Sequence, residues 1–214
     1  PPCAECRRLC GELGGHQRLR AMSLLLIAPG NLWMGGITVK NGHALHLYFG
    51  DGKGKTTAAM GLAVRAAGQG RKVLIGQFLK TNTTGEFDSL RKLENVVLAL
   101  GEPVAGLTMG MSDAEREEEK ARQRRNFERI CARVEEEKPD VIVLDEFLVA
   151  EHLGYLDSER AAAFVEAWLE NAEVVLTGRW ASEALMARAD YATEMVKRKH
   201  PYDAGVMARR GIEF

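Results

Sequence analysis

From residue 37 onward, short apolar runs alternate with longer stretches whose apolar residues recur at helical spacing. Ala44–Phe49 predicts a buried strand that runs into a glycine-rich turn. Lys55–Ala67, rich in Ala, Leu and Met and followed by Gly68 and Gly70, predicts a helix with its stop signals. A strand is expected over Val73–Leu79 and a short helix over Ser89–Leu93. Val96, Leu98 and Leu100 alternate as in a strand. Ser112 and Glu115 have the spacing of a capping box and open a long charged helix that must stop before Pro139. Its runs EREEEK and RQRR are expected to form a solvated face. Val141–Leu144 and Val174–Thr177 predict two fully apolar strands. Between them Ser158 is expected to cap a helix through Asn171. A helix over Ser182–Ala189 and a strand over Tyr191–Val196 follow.

Repeated β–α alternation with short apolar strands implies an α/β fold, a mostly parallel sheet with helices on both faces. Thr81–Gly85 and Gly101–Ser112 read as loops. Both follow strands, so they are expected over the carboxyl edge of the sheet, where ligands bind in such folds.

The chain has 214 residues, 46% of them hydrophobic, enough for one domain with a sizeable core. Lys+Arg number 29 and Asp+Glu 30, a net charge of -1. That balance gives no bulk attraction to nucleic acid or to a membrane surface, so any polyanion site must be local. No apolar run approaches a membrane span, and a cytoplasmic location is expected. Residues 1–36 read as an N-terminal extension, disordered or not native, with Met22 and Met34 as internal starts; the domain occupies 37–214. Cys3, Cys6 and Cys10 with His16 offer an incomplete and loosely spaced zinc set, so no metal is assigned to them. Cys131 is expected to be a small packed core residue. His43, His46 and His152 form no spaced metal set, and Trp168 reads as core.

The chemistry begins at GDGKGKTT, Gly50–Thr57. A glycine loop between a strand and a helix aims several backbone N–H groups and the helix dipole at one anion. The usual spacing is G-x-x-x-x-G-K-[ST], and this loop is one residue shorter. Gly50, Gly52 and Gly54 permit close backbone approach. Lys53 and Lys55 bring charge to phosphate oxygens, and Thr56 and Thr57 bring hydroxyls, the first suited to Mg²⁺. Asp51 is out of place in an anion cradle. It either makes a local turn through a side-chain bond to the backbone or faces a cation such as Lys53. VIVLDE, Val141–Glu146, is an apolar strand ending in two acids, where a nucleotide-binding protein of this kind places its magnesium carboxylate. Either Asp145 or Glu146 can be nearer the ion.

With these motifs the chain resembles the P-loop-type ATP:corrinoid adenosyltransferases. GDGKGKTTAA matches that family's compact loop. QFLK with Gly85-Glu86 downstream, VLDE followed by an apolar stretch and Tyr155-Leu156, and Val174–Arg179 ending in T-G-R are also similar. KHPYDAGVMARRGIEF, Lys199–Phe214, resembles the family's C-terminal motif. The likeness runs from about residue 44 to the end and implies a P-loop NTPase-like sheet. It implies that a Co(I) corrinoid attacks the 5′-carbon of ATP and that triphosphate leaves whole. Cobalt is then the nucleophile, and the protein has only to position substrates and stabilise the leaving group.

The resemblance implies Lys55 and Thr56 as catalytic residues. ATP would be bound by Gly50, Asp51, Gly52, Lys53, Gly54, Lys55, Thr56, Thr57 and Arg179, and Mg²⁺ by Thr56, Glu146 and Asp145. It also implies a homodimer and a reducing protein or flavin as partner. The family often carries G-F-T-W before the long helix, aromatics that help displace the corrinoid's lower ligand. Here Gly106-Leu107-Thr108-Met109 stand there, so Leu107 and Met109 are corrinoid candidates. His200 and Asp203 are further candidates, for substrate contact or for a structural role. After T-G-R the family often has Gly-Cys-His; Trp180, Ala181 and Ser182 follow here. A small kinase or ATPase, or a non-catalytic nucleotide-binding module, is the alternative reading of the loop alone.

Overall fold

The computed structural model describes residues 42–104 and 110–213. The N-terminal cysteines, Leu107 and Met109 lie outside the described residues. In chain order the elements are β1 (Leu45–Phe49), α1 (Lys55–Gly68), β2 (Val73–Gln77), α2 (Gly85–Leu90), β3 (Val96–Ala99), α3 (Asp113–Glu137), β4 (Val141–Asp145), α4 (Phe147–His152), α5 (Ser158–Trp168), β5 (Glu173–Thr177), α6 (Glu183–Arg188) and β6 (Tyr191–Glu194), then a 3₁₀ turn over Pro201–Ala204.

All described strand pairs are parallel, in the order β3-β2-β4-β5-β1-β6. Every residue of β2 and β4 is buried, which is why those strands read as continuous apolar runs. Alternation along each strand divides the core in two. Val73, Ile75, Val141, Val143 and Val175 meet Ala59, Met60 and Ala63 of α1 and Phe87 of α2. Leu47, Leu74, Ile142, Leu144 and Leu176 meet the other helices on the opposite face. There Phe127, Phe147, Phe164 and Phe78 form a cluster of edge-to-face and tilted rings with centroids 5.5–6.4 Å apart. A Cβ on Gly76 would lie 2.6 Å from Ile130 Cδ1, so a glycine in β2 lets α3 settle against the sheet. Cys131 is buried in α3, and Trp168 packs against the core, as expected.

Several expectations are corrected. The short helix spans Gly85–Leu90 rather than Ser89–Leu93, placing Phe87 and Leu90 on its buried side. Asp157 rather than Ser158 caps α5, its carboxylate accepting from the Arg160 N–H at 2.9 Å, and the helix ends at Trp168. The first strand after α1 stops at Gln77, because Leu79 turns into the left-handed region at φ 53°. The long helix begins with the expected capping box. Its charged runs are not wholly solvated: Glu119 and Gln123 point inward and are fully buried. Gln123 donates to Glu119 and accepts the Leu79 N–H at 3.3 Å, so α3 holds the chain where β2 exits. No helix among the described residues is long and apolar enough to cross a membrane.

Candidate active site

The glycine loop joins β1 to α1, and Gly54 is the N-cap of α1 at φ 119°. Two loop glycines are fixed by a close backbone neighbour. Gly52 N–H donates to the Met195 carbonyl at 2.6 Å, and Met195 N–H donates to the Phe49 carbonyl at 2.7 Å. A Cβ on Gly50 would lie 2.5 Å from that Met195 oxygen, and one on Gly52 2.7 Å from it. The chain leaving β6 is thus packed directly under the loop. On the other side Gly50 N–H donates to the Arg179 carbonyl at 3.1 Å.

Asp51 resolves as a long-range tie. Its carboxylate accepts the Lys197 backbone N–H at 2.9 Å, across 146 positions. That bond holds its pKa below the ordinary range. Lys53 donates to the Ile212 carbonyl at 2.8 Å and lies 3.9 Å from Glu213. The C-terminal segment from Lys197 onward is therefore fastened to the phosphate loop at two points, the second within the C-terminal motif. Within this segment His200 Nδ1 accepts from the Tyr202 N–H at 3.2 Å, and Asp203 accepts from Lys197 Nζ at 3.0 Å. His200 and Asp203 order the turn that carries the motif. Thr57 is exposed in the first turn of α1. Lys55 curls back so that Nζ donates to the Gly52 carbonyl at 2.6 Å. Burial lowers its pKa, Arg179 adds to the effect, and Glu146, Asp51 and Asp145 oppose it.

The two acids ending β4 are not equivalent. Asp145 is fully buried and accepts four side-chain donors: Thr56 Oγ1 at 2.9 Å, Gln77 Nε2 at 2.9 Å, Thr177 Oγ1 at 2.7 Å and Lys80 Nζ at 2.6 Å. Burial is the largest influence on its pKa and raises it. The Lys80 charge and the bonds from Lys80, Thr177 and Gln77 together outweigh burial and hold it below the ordinary range. Glu146 takes φ 58° at the entrance to α4, and its own N–H donates to Thr177 Oγ1 at 3.0 Å. Burial and then the Asp145 charge push its pKa up.

Lys80, Gln77 and Thr177 were not singled out from sequence. Lys80 and Gln77 lie in the QFLK segment, and Thr177 begins T-G-R, so the signal was present in the family likeness. Their convergence depends on β2 and β5 both flanking β4, with Gln77 in register with Asp145. Lys80 Nζ also lies 3.1 Å from Thr56 Oγ1, a cation among oxygen donors. Thr56, Asp145 and Glu146 offer a hydroxyl and two carboxylates, a donor set that fits a hard divalent cation.

A shortened glycine loop on a parallel sheet, a lysine within it, and a strand-end carboxylate bonded to the loop threonine define a P-loop nucleotide-binding protein. Residues 41–214 match the family model of the ATP:corrinoid adenosyltransferases BtuR/CobO/CobP. The chain belongs to this family. A corrinoid adenosyltransferase of Pseudomonas aeruginosa is 37% identical over 79% of this chain and 83% of its own length. One from Sinorhizobium sp is 33% identical, covering 77% of each chain. Another, from Escherichia coli strain K12, is 32% identical over 78% of this chain and 84% of its own. Among solved structures, a KaiC-like protein of Pyrococcus horikoshii OT3 aligns with 80% of this chain and 68% of its own at 16% identity and TM-score 0.37.

Proposed function

We propose that the protein transfers the 5′-deoxyadenosyl group of ATP to the cobalt of a reduced corrinoid and releases triphosphate. The observation that carries this reading is the joining of the loop to the C-terminal motif, through Lys53 with Ile212, and to the chain just before it, through Asp51 with Lys197. The two most distinctive segments of the family meet at one edge of the sheet.

The chemistry follows from charge. Cobalt(I) supplies the electron pair that forms the new bond to the 5′-carbon. The carbon–oxygen bond to triphosphate breaks, and negative charge grows on the departing oxygen. Lys55, the Arg179 guanidinium and the loop N–H groups around the start of α1 are the donors that meet this charge, while Lys53 ties the C-terminal segment to the loop. Thr56, Asp145 and Glu146 would hold Mg²⁺, which supplies further charge neutralisation at the phosphate oxygens. Leu107 and Met109 are assigned to the lower face of the corrinoid as apolar groups before α3. Asn126 accepts from the Glu102 N–H at 2.7 Å and donates to the Glu102 carbonyl at 3.0 Å, which fixes the start of that loop. His200 and Asp203 act by shaping the motif beside the loop. A homodimer, a flavin or protein reductant that produces Co(I), and a cytoplasmic location complete the reading.

The test is to incubate the protein with chemically reduced cobalamin and MgATP labelled in the γ-phosphate. Label recovered as triphosphate beside a light-sensitive cobalt–carbon product supports adenosyl transfer. Label recovered as orthophosphate with ADP, and no alkylated corrinoid, would replace it with an ATPase.

A further inference from the structure

Just beyond the phosphate loop three planar side chains lie against one another in solvent. His152 ends α4 and stacks on Trp180, with centroids 4.4 Å apart and planes at 22°. The guanidinium carbon of Arg179 lies 5.3 Å from the centroid of the same indole. Trp180 is 43% exposed. An indole this open presents an apolar ring and a polar N–H to a planar ligand.

Its position is determined at both ends. The Arg179 carbonyl is bonded to Gly50 N–H, so Trp180 is one residue from the loop's first glycine. A Cβ on Gly178 would lie 2.6 Å from Leu148 Cβ, so the end of β5 and α4 are in close contact, and α4 carries His152 to the ring. Arg179 connects the two regions: its charge acts on Lys55 and Asp51 in the loop while its guanidinium stands over the indole.

We propose that the Arg179–Trp180–His152 stack is the platform on which the purine of ATP lies. The proposal rests on the nucleotide reading of the loop. A base covalently tied to phosphates held at Gly50–Thr57 must come to rest on a nearby surface, and this stack adjoins the loop through a backbone hydrogen bond. Aromatic and guanidinium faces bind a base without hydrogen-bond readout, and the stack accounts for an exposed indole that neither the core nor the phosphate site uses. Trp180 is then a positioning residue that orients the ribose carbon through the base.

The test is equilibrium binding of MgATP and, separately, of magnesium tripolyphosphate to the full chain without corrinoid, for wild type, Trp180→Ala and Trp180→Phe. Trp180→Ala should weaken ATP roughly tenfold, the scale of one lost base stack. It should leave tripolyphosphate unchanged, and Trp180→Phe should keep most of the ATP affinity. In wild type, ATP but not tripolyphosphate should change indole fluorescence, and Trp180→Ala should abolish that change. Unchanged ATP affinity in Trp180→Ala overturns the platform and leaves adenosyl transfer intact. The same holds if both ligands weaken equally. A wild type that binds neither ATP nor tripolyphosphate overturns the platform and the nucleotide reading together.

Discussion

The Lys80 ammonium lies 2.6 Å from Oδ2 of the fully buried Asp145 and 3.1 Å from the Thr56 hydroxyl. A side chain from the end of β2 thus neutralises the acid that ends β4. Leu79, at φ 53°, and its N–H bond to Gln123 aim the lysine there. A left-handed leucine is costly backbone, and such strain gathers where a neighbouring side chain must be held.

Removing one partner of this pair leaves the other buried and charged. Lys80→Met should therefore destabilise the protein by about 3 kcal/mol, the lower end for a broken buried pair, since Asp145 keeps three other donors. Asp145→Asn should be comparably harmful. The double variant should be less destabilised than the sum of the two by more than about 1 kcal/mol. Denaturant unfolding of all four proteins measures this, and strict additivity would contradict the pairing.

The loop glycines predict a contrast. A methyl on Gly52 would lie 2.7 Å from the Met195 oxygen and 2.8 Å from its carbonyl carbon, backbone atoms that cannot swing aside. Gly52→Ala should push the loop off the end of β6 and lower nucleotide affinity more than about tenfold, the effect of a small misplacement on a preorganised site. Gly61, inside α1, has nothing within 4 Å of its Cβ position. Gly61→Ala should stabilise by up to about 1 kcal/mol through helix propensity and leave binding alone. Thermal unfolding and nucleotide titration of the two variants separate these outcomes.

The sequence made the loop, the capping box and the sheet class legible because each depends on neighbours in the chain. GDGKGKTT after an apolar strand has few other meanings, and Ser112 with Glu115 is a local device. The difference between Asp145 and Glu146 was not legible, since it arises from donors on β2, α1 and β5 and from the left-handed turn at Glu146. Helix α4 was missed because FLVAEH is six residues long and reads as a continuation of the apolar strand. EREEEK and RQRR looked solvated because charge is normally outward. Glu119 and Gln123 are instead drawn inward to hold the chain leaving β2. Asp51 looked like a turn residue, and only the fold brings Lys197 to it.

At the opposite edge of the sheet, Glu173 accepts the Ala44 N–H and lies 3.6 Å from His46 Nε2. Burial raises its pKa, but the His46 imidazole beside it and the bond from the Ala44 N–H outweigh burial and leave it depressed. A depressed carboxylate adds stability above its unfolded value, and that stability is lost as pH falls through the folded value. Glu173→Gln should cost about 1 kcal/mol near pH 7, a charged hydrogen bond discounted for a partly exposed group. The gap to wild type should close as pH falls below the ordinary glutamate value of 4.5. A gap that widens in acid would refute the assignment.

The two loop lysines should fail differently. Lys55 is half-buried and bonded to the Gly52 carbonyl, inside the curve where phosphate oxygens would be received. Lys53 is exposed and bonded to the Ile212 carbonyl, a tether for the C-terminal motif. Lys55→Ala removes a charge from the leaving triphosphate, so single-turnover adenosylation should fall about 10²–10³-fold, the usual cost of one transition-state donor. The C-terminal segment should stay as protected as in wild type. Lys53→Ala should slow the reaction much less and loosen residues 197–213, read as faster hydrogen exchange there. Rapid-quench kinetics and exchange mass spectrometry on both variants test this division. If Lys53→Ala were as slow as Lys55→Ala with the motif still protected, Lys53 would be a direct phosphate ligand and not a tether.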